Sequence, residues 1–518
     1  MKHLISLLAF SFLIGCDGEK SNVAPSKDSP EEDAALNKEV NLGKSEKPIM
    51  PIDLALKLGA LEVIKQHLIA GTDVNSRNHH GETPLMISAA EGNRKVVELL
   101  ISKGANVNSR DHYGEIPLNR ALSIEMAELL VEKGADVNSR DDDGLTPLHR
   151  AFSTDIAKLL IEQGADVNSR DHNGVTPLNG AISIDMAKLL VEKGADVNSR
   201  DDDGATPLHG ACQFFEGEEL IKLLISKGAN VNTKTNDGLT PLYCAASVSW
   251  DAKNIVKLLI ANGATVKSVD KRDSTPLHCA AYSGHTKLAE LLIEEGADVN
   301  SRDHIGATPL DYSILREHKE FAELLRRSGG KSGIEDSIFV ATIHGNVEAV
   351  KKHLDSGIDV NIKDKDGINL LSYAAMEGKK EIIEFLIKAG ANVNASSKAK
   401  DTALDYALDY ETVKLLITNG ADVNIKDESN GWTRLFWAVE HGDLKVGNLL
   451  IDAGADVNSI DFEGNSVLDF AFSFNKTEFV NLLREHGAKT AEELEIRSET
   501  GPVFGGQTKT LKDFITCD

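Results

Sequence analysis

Aromatic side chains are scarce in this sequence: Phe, Trp and Tyr together make up 5% of its 518 residues. Any kind of position that collects them therefore stands out. Cysteine is rarer still, five in all, too few for the disulfide-dense framework of a small secreted domain. Positive charge is also in short supply, with 56 Lys and Arg against 81 Asp and Glu and a formal net charge of −25. That balance argues against a nucleic-acid binder, which needs basic side chains to displace counterions from phosphate. It argues equally against attachment to anionic lipid through a basic patch. With 41% hydrophobic residues the chain still has material for a core, and global disorder is not expected.

Long hydrophobic runs are missing as well, and no segment after the N-terminus approaches the length of a membrane span. The one short run follows Lys2 and His3 and covers Leu4 to Ile14, the length of a signal-peptide core. It ends in Leu13-Ile14-Gly15-Cys16, which resembles the lipobox of bacterial lipoproteins. The resemblance implies that residues 1–15 are a signal peptide and that Cys16 becomes the lipidated first residue. Asp17 resembles an inner-membrane retention signal of enterobacterial-type lipoproteins. The expected location is thus the bacterial cell envelope, lipid-anchored and facing the periplasm. Residues 16–50, rich in Ser, Glu, Lys and Asp, are expected to form a flexible tether of at most about 110 Å.

What the sequence has in abundance is a repeat. Gly-Ala-Asp/Asn-Val-Asn recurs with its glycine at 104, 134, 164, 194, 228, 296, 390, 420 and 454, with weaker copies at Gly71, Gly263 and Gly357. Between copies runs a second phrase, clearest at Thr146-Pro147-Leu148-His149, Thr206-Pro207-Leu208-His209 and Thr275-Pro276-Leu277-His278. In the last of these, Thr275 is placed to cap a helix that Pro276 opens. A slim helix Leu277–Ala281, a turn at Gly284-His285 and a second helix Lys287–Glu295 should follow, closed by Gly296 as a left-handed cap. One such pair leaves too much apolar surface exposed to stand alone, and stacking neighbours bury it.

These phrases resemble the ankyrin-repeat family, whose signature is Thr-Pro-Leu-His-x-Ala at a period of about 33 residues. The resemblance implies an all-α repeat solenoid of about fourteen units. A break at Ser328-Gly329-Gly330-Lys331-Ser332-Gly333 divides it into a block of nine units, residues 51–329, and one of five, residues 334–488. A polar tail, residues 489–518, follows. Units starting at Gly114, Gly144, Gly174 and near Lys400 have only 30 residues, and the loss falls in the turn between the helices. A shortened first helix or turn is expected there.

Catalytic and ligand-binding motifs are absent or imperfect. Gly329-Gly330-Lys331-Ser332 lacks the upstream glycine of a phosphate-binding loop, since that position is Leu325. Asp141-Asp142-Asp143-Gly144 and Asp201-Asp202-Asp203-Gly204 lack the acidic residue that closes a calcium loop, having Arg150 and Gly210 instead. Histidines at loop tips, His79, His80, His112, His172 and His304, lie mostly in different units, without metal-ligand spacing. Cys212, Cys244 and Cys279 are expected in packing positions. No catalytic set, cofactor or metal is called for.

Two patterns point to partners. The position after the Leu-His pair holds Arg120, Arg150, Gly180 and Gly210 early, but Tyr312, Val340, Tyr373, Tyr406, Trp437 and Phe470 from the ninth unit on. Facing away from the buried leucine, it should line the inner side of the array. Tyr and Trp there are expected either to hold an apolar partner or to form a packing ladder between units. At the loop tips, Arg110, Arg140, Arg170 and Arg200 alternate with aspartates, either as a solvated Arg–Asp ladder or as a recognition stripe. The resemblance implies a non-enzymatic protein–protein interaction scaffold, monomeric, with a protein partner. A structural envelope spacer and a stabilising accessory of an exported enzyme are the alternatives.

Overall fold

The second helix of every unit is nine residues long, from Leu61–Ile69 and Arg94–Ser102 through Thr286–Glu294 to Thr477–Glu485. The computed structural model describes residues 50–181, 183–214, 217–248 and 252–494. Fourteen such helices recur among them, each paired with a preceding short helix or turn. The signal segment, Cys16, the tether, Cys517 and most of the tail lie outside the described residues. Many second helices bury an apolar trio at i, i+1 and i+4, such as Val96, Val97 and Leu100 or Ile156, Ala157 and Leu160, so one stripe faces the core and the rest meets water. Among the described residues there is no β-strand, only the isolated bridges Lys363–Asn369 and Ile460–Ser466. No described helix is long and apolar enough to cross a membrane.

The three short units show what a missing turn costs. Their first helix shrinks to the 3₁₀ helix Pro117–Arg120 and to turns at residues 147–150 and 177–180. The chain then runs extended into Ser123, Ser153 or Ser183, whose hydroxyl accepts the N–H of Met126, Ile156 or Met186 and caps the second helix. With the helix cut short, Leu122 and Phe152 are left on the surface. The fourth short unit does the same with the helix Ala403–Tyr406 and an exposed Leu408.

The conserved-looking glycines serve two needs. Gly296 has φ 85°, with nothing near an added Cβ, so its requirement is the left-handed backbone alone. Gly114 also has positive φ, but a Cβ there would lie 2.8 Å from the Asp142 backbone nitrogen of the next hairpin, so close stacking demands it too.

Stacking is fixed by hydrogen bonds that pass from each unit to the next. Asn138 donates to Gly164 O (2.9 Å) and accepts from Asp166 N (2.9 Å). Asn168, Asn198 and Asn424 repeat this pair of bonds onto the following unit. The series is interrupted where Lys267 occupies the asparagine position. A second link uses histidine: Nδ1 of His149, His209 and His278 accepts the N–H of Thr146, Thr206 and Thr275 at 3.1 Å. Nε2 then donates to Val175 O, Leu239 O and Ala307 O in the next unit, also at 3.1 Å. Cys212, Cys244 and Cys279 are buried and free, and burial pushes the thiols of Cys244 and Cys279 up to about 12.

The glycine-rich break is a bonded junction. Asp311 takes the histidine position and is fully buried. Its carboxylate accepts from Thr308 N (2.8 Å), Thr308 Oγ1 (2.9 Å), Gly333 N (2.8 Å) and Ser332 Oγ (2.5 Å). Across the break, Asn300 holds Gly329 O and Lys331 N, and Ser337 Oγ donates to Ile305 O. An apolar cluster containing Ile305, Ala307, Val340, Ile343, Ile368 and Tyr373 joins the units on both sides. The far end is closed in the same manner: Asp469 accepts from Ser466 Oγ (2.7 Å) and Ala491 N (2.7 Å), and Lys489 N donates to Asn458 Oδ1 (2.8 Å).

Two outcomes follow for stability. Burial lowers the pKa of His149, His209 and His278, so the folded chain binds fewer protons than the unfolded one. Their stabilisation is complete above the unfolded value of about 6.5 and is lost as the pH falls below it. The urea midpoint should therefore drop between about pH 7.5 and pH 5.5, and less so in a His209→Asn/His278→Asn chain. Asn119 and Asn179 already fill that slot, accepting from Ile116 N and Thr176 N. Asp311→Ala should lower stability by about 3 kcal/mol, since it strands several buried donors. It should also resolve two urea transitions. A single unshifted transition would show that the carboxylate does not couple the blocks.

Candidate functional site

In five units the slot after the Leu-His pair is a rung of a structural ladder. A hairpin aspartate receives a hydrogen bond from the slot residue nine positions later: Arg120 to Asp111 (2.7 Å), Arg150 to Asp141 (2.8 Å), Tyr312 to Asp303 (2.6 Å) and Tyr373 to Asp364 (2.7 Å). Tyr406 reaches Asp401 at 3.1 Å. Tyr373 is only 4% exposed and packs edge-on against Phe339, and Val340 is fully buried. The Tyr373 hydroxyl is held away from ionisation by burial and by Asp364. So Tyr312, Tyr373 and Tyr406 do not form the open stripe that their register suggests, because the phenol bends to satisfy a carboxylate.

The tip arginines also differ from an Arg–Asp ladder. Arg110, Arg140 and Arg170 donate to the backbone carbonyls of Arg140, Arg170 and Arg200 at 2.5, 2.5 and 2.7 Å, and Arg200 donates to Lys234 O at 2.9 Å. The neighbouring aspartates turn inward instead, Asp111 Oδ1 accepting from Tyr113 N and Glu115 N. The guanidinium heads stay partly exposed along one edge. Arg170 keeps a 3.4 Å ion pair with Asp202.

At the junction the structure assembles a group that the spacing does not reveal. From Gly329 to Ser337 there are four positions fewer than from Gly296 to Thr308, so one hairpin tip is missing. The next tip leans back across the gap: His304 Nε2 lies 3.2 Å from Asp364, Arg272 lies 3.2 Å from Asp366, and Lys365 reaches Asp273. His304, Asp364 and Asp366 offer ligand atoms within 4.8 Å of one another. Arg272 and the Tyr373 hydroxyl already answer these carboxylates, and the group acts as a latch between loops.

The ladder changes character in the last two units. Here the slot holds Trp437 and Phe470, which have neither hydroxyl nor guanidinium to offer. Asp427 Oδ2 is left buried with no hydrogen-bond partner, and Asp461 Oδ2 takes the amide of Asn465 at 3.2 Å. In place of the ladder stands an aromatic cluster. Trp432 lies edge-on to Trp437 (5.2 Å) and Phe470 (4.8 Å), and Phe470 meets Phe474 at 4.5 Å. A cleft of about 310 Å³ opens between the hairpin tips, lined by Trp432, Phe462, Phe470, Phe474, Asp461, Glu463, Asn430 and Asn465. Phe462 and Phe474 are 67% and 48% exposed. Gly431 makes the cleft possible, since a Cβ there would meet the Phe462 ring at 2.7 Å. Register placed Trp437 and Phe470 at this end. It missed Trp432, Phe462 and Phe474, which lie on hairpins or a helix terminus, outside the repeated slot.

Tyr373→Phe should cost about 1 kcal/mol in urea unfolding, the worth of one hydrogen bond. A larger loss would mean that Asp364 needs the phenol more than the neighbouring contacts suggest.

Comparison with known proteins agrees with this architecture. The family model described as ankyrin repeats (3 copies) matches residues 52–141, 123–201, 183–270, 247–336, 338–427 and 409–493. A putative ankyrin repeat protein of Acanthamoeba polyphaga mimivirus is 31% identical over 149 residues, 28% of this chain and 20% of that protein. A putative ankyrin repeat-containing protein of Treponema pallidum (strain Nichols) is 36% identical over 150 residues, 28% of this chain and 50% of that one. A putative ankyrin repeat protein of Rickettsia bellii (strain RML369-C) is 32% identical over 120 residues, covering 21% and 34%. The chain thus spans at most about half the length of these relatives. With family matches running from residue 52 to residue 493 over a stack of fourteen helix pairs, the chain belongs to the ankyrin-repeat family.

Proposed function

We propose that this chain is a non-enzymatic scaffold, held to a bacterial membrane through lipidated Cys16 and facing the extracytoplasmic space, where it grips a protein partner. Ankyrin repeats act as protein-interaction scaffolds, and function lies in the side chains grafted on them rather than in the fold. The observation that carries the reading is the cleft at the C-terminal end: in a chain poor in aromatics, Trp432, Phe462, Phe470 and Phe474 converge beside open solvent. Large aromatic anchors of this kind dominate binding energy at protein interfaces. The anchor rests on Leu13-Ile14-Gly15-Cys16 and the polar stretch after it, which gives the array room to reach a partner above the bilayer.

Cross-linked capture from detergent-solubilised membranes tests both halves. Cys16→Ala should move the protein from the membrane to the soluble fraction. Trp437→Ala combined with Phe474→Ala should leave it on the membrane but reduce partner recovery about tenfold or more. Membrane retention of the cysteine variant overturns the anchor. Undiminished capture by the paired variant overturns the aromatic end as the gripping surface.

A further inference from the structure

We propose that the C-terminal cleft receives a basic side chain, arginine or lysine, presented by an extended segment of the partner protein. The inference rests on the scaffold reading above and names the chemistry that the partner brings. Three observations carry it. The walls are aromatic faces and edges from Trp432, Phe462, Phe470 and Phe474, and such rings attract a cation through their quadrupole. The polar part of the lining contains Asp461 and Glu463 and no basic residue. In the hairpin that carries Trp432, the carboxylate oxygen that Arg120, Arg150 or a tyrosine hydroxyl meets in other units has no partner at Asp427, whose other oxygen accepts from Asn430, Gly431 and Trp432 N.

The contrast between the two ends of the array sharpens the argument. In the early units the positive partner of the hairpin aspartate is built in: Arg120 binds Asp111, Glu82 and Glu115, and Arg150 binds Asp141 and Glu115. The units of Gly180 and Gly210 also lack a built-in cation or hydroxyl, but in the last two units aromatic surface stands beside the remaining negative charge. A guanidinium entering from outside meets the Asp461 and Glu463 side and stacks on the rings at the same time. The net charge of −25 draws a basic segment toward the array and adds to the rate of encounter.

The test uses the full-length protein in detergent and fluorescence anisotropy of a labelled, otherwise neutral peptide carrying three arginines. Its twin has citrulline, which keeps the shape and removes the charge. The arginine peptide should bind about tenfold more tightly than the citrulline twin, and Phe462→Ala should remove about the same factor. Phe462 is mostly exposed, so this variant folds. Glu463→Gln should weaken binding about threefold and flatten its salt dependence, while Trp432→Phe keeps the site. Equal binding of the two peptides overturns the proposal, as does full binding by the Phe462→Ala chain. Binding that appears only after removal of residues 495–518 would assign the cleft to the chain's own Lys509 and Lys512 and overturn it equally. Partner capture that survives in Phe462→Ala membranes, with the peptides unbound, would sink this assignment and leave the scaffold standing.

Discussion

Each unit depends on its successor for hydrogen-bond partners. The asparagine that follows most second helices answers a glycine carbonyl and a backbone N–H one unit along, and in three units a histidine answers the next carbonyl. Where the group is buried, as with His278, leaving its bond unmade is expensive, so there the following unit is required, not merely accommodated. That demand sets the spacing, the direction and the tilt of the stack. It also explains how three units can lose most of their first helix without breaking the array, because the links between units lie at the hairpins and helix ends rather than in the helix that is missing.

The same demand explains where the motif changes. Histidine donates to a carbonyl of the following unit. At residues 311 and 469 the following segment is not a repeat and offers an N–H instead, from Gly333 or Ala491. Aspartate, an acceptor only, fits both places. At these two residues, what looks like decay of the signature is a reversal of hydrogen-bond polarity at the edge of a block.

Much of this is legible in the residues. The glycine phrases place the ends of the second helices, and Thr275-Pro276 marks the start of a first helix, observed from Pro276 to Ser283 where Leu277 to Ala281 was expected. The thirty-residue units predict a lost turn, and the structure loses it in the first helix. What pattern reading cannot supply is the direction a long side chain takes. Tyr373 and Arg120 occupy an inward-facing register, yet both bend toward an aspartate nine residues back. The latch of His304 with Asp364 joins loops sixty residues apart, brought together only because a hairpin between them is absent. The cleft escapes for a related reason: three of its four lining aromatics sit off the repeated slot, and the extra residue in the Asp427 hairpin breaks the nine-residue relation that served earlier units.

The closed C-terminal edge reaches beyond the single molecule. A stack in which every unit completes the one before it is, at an unfinished end, a template for the first unit of another copy, and head-to-tail contacts that do not close grow into fibres. The segment after Gly487 denies that template its bonds: Lys489 and Ala491 occupy the acceptors that a fifteenth unit would claim, and Arg484 is tied to Glu493 at 2.6 Å. A short stretch of chain thereby occupies, on that edge, hydrogen-bond groups that another copy's first unit would need.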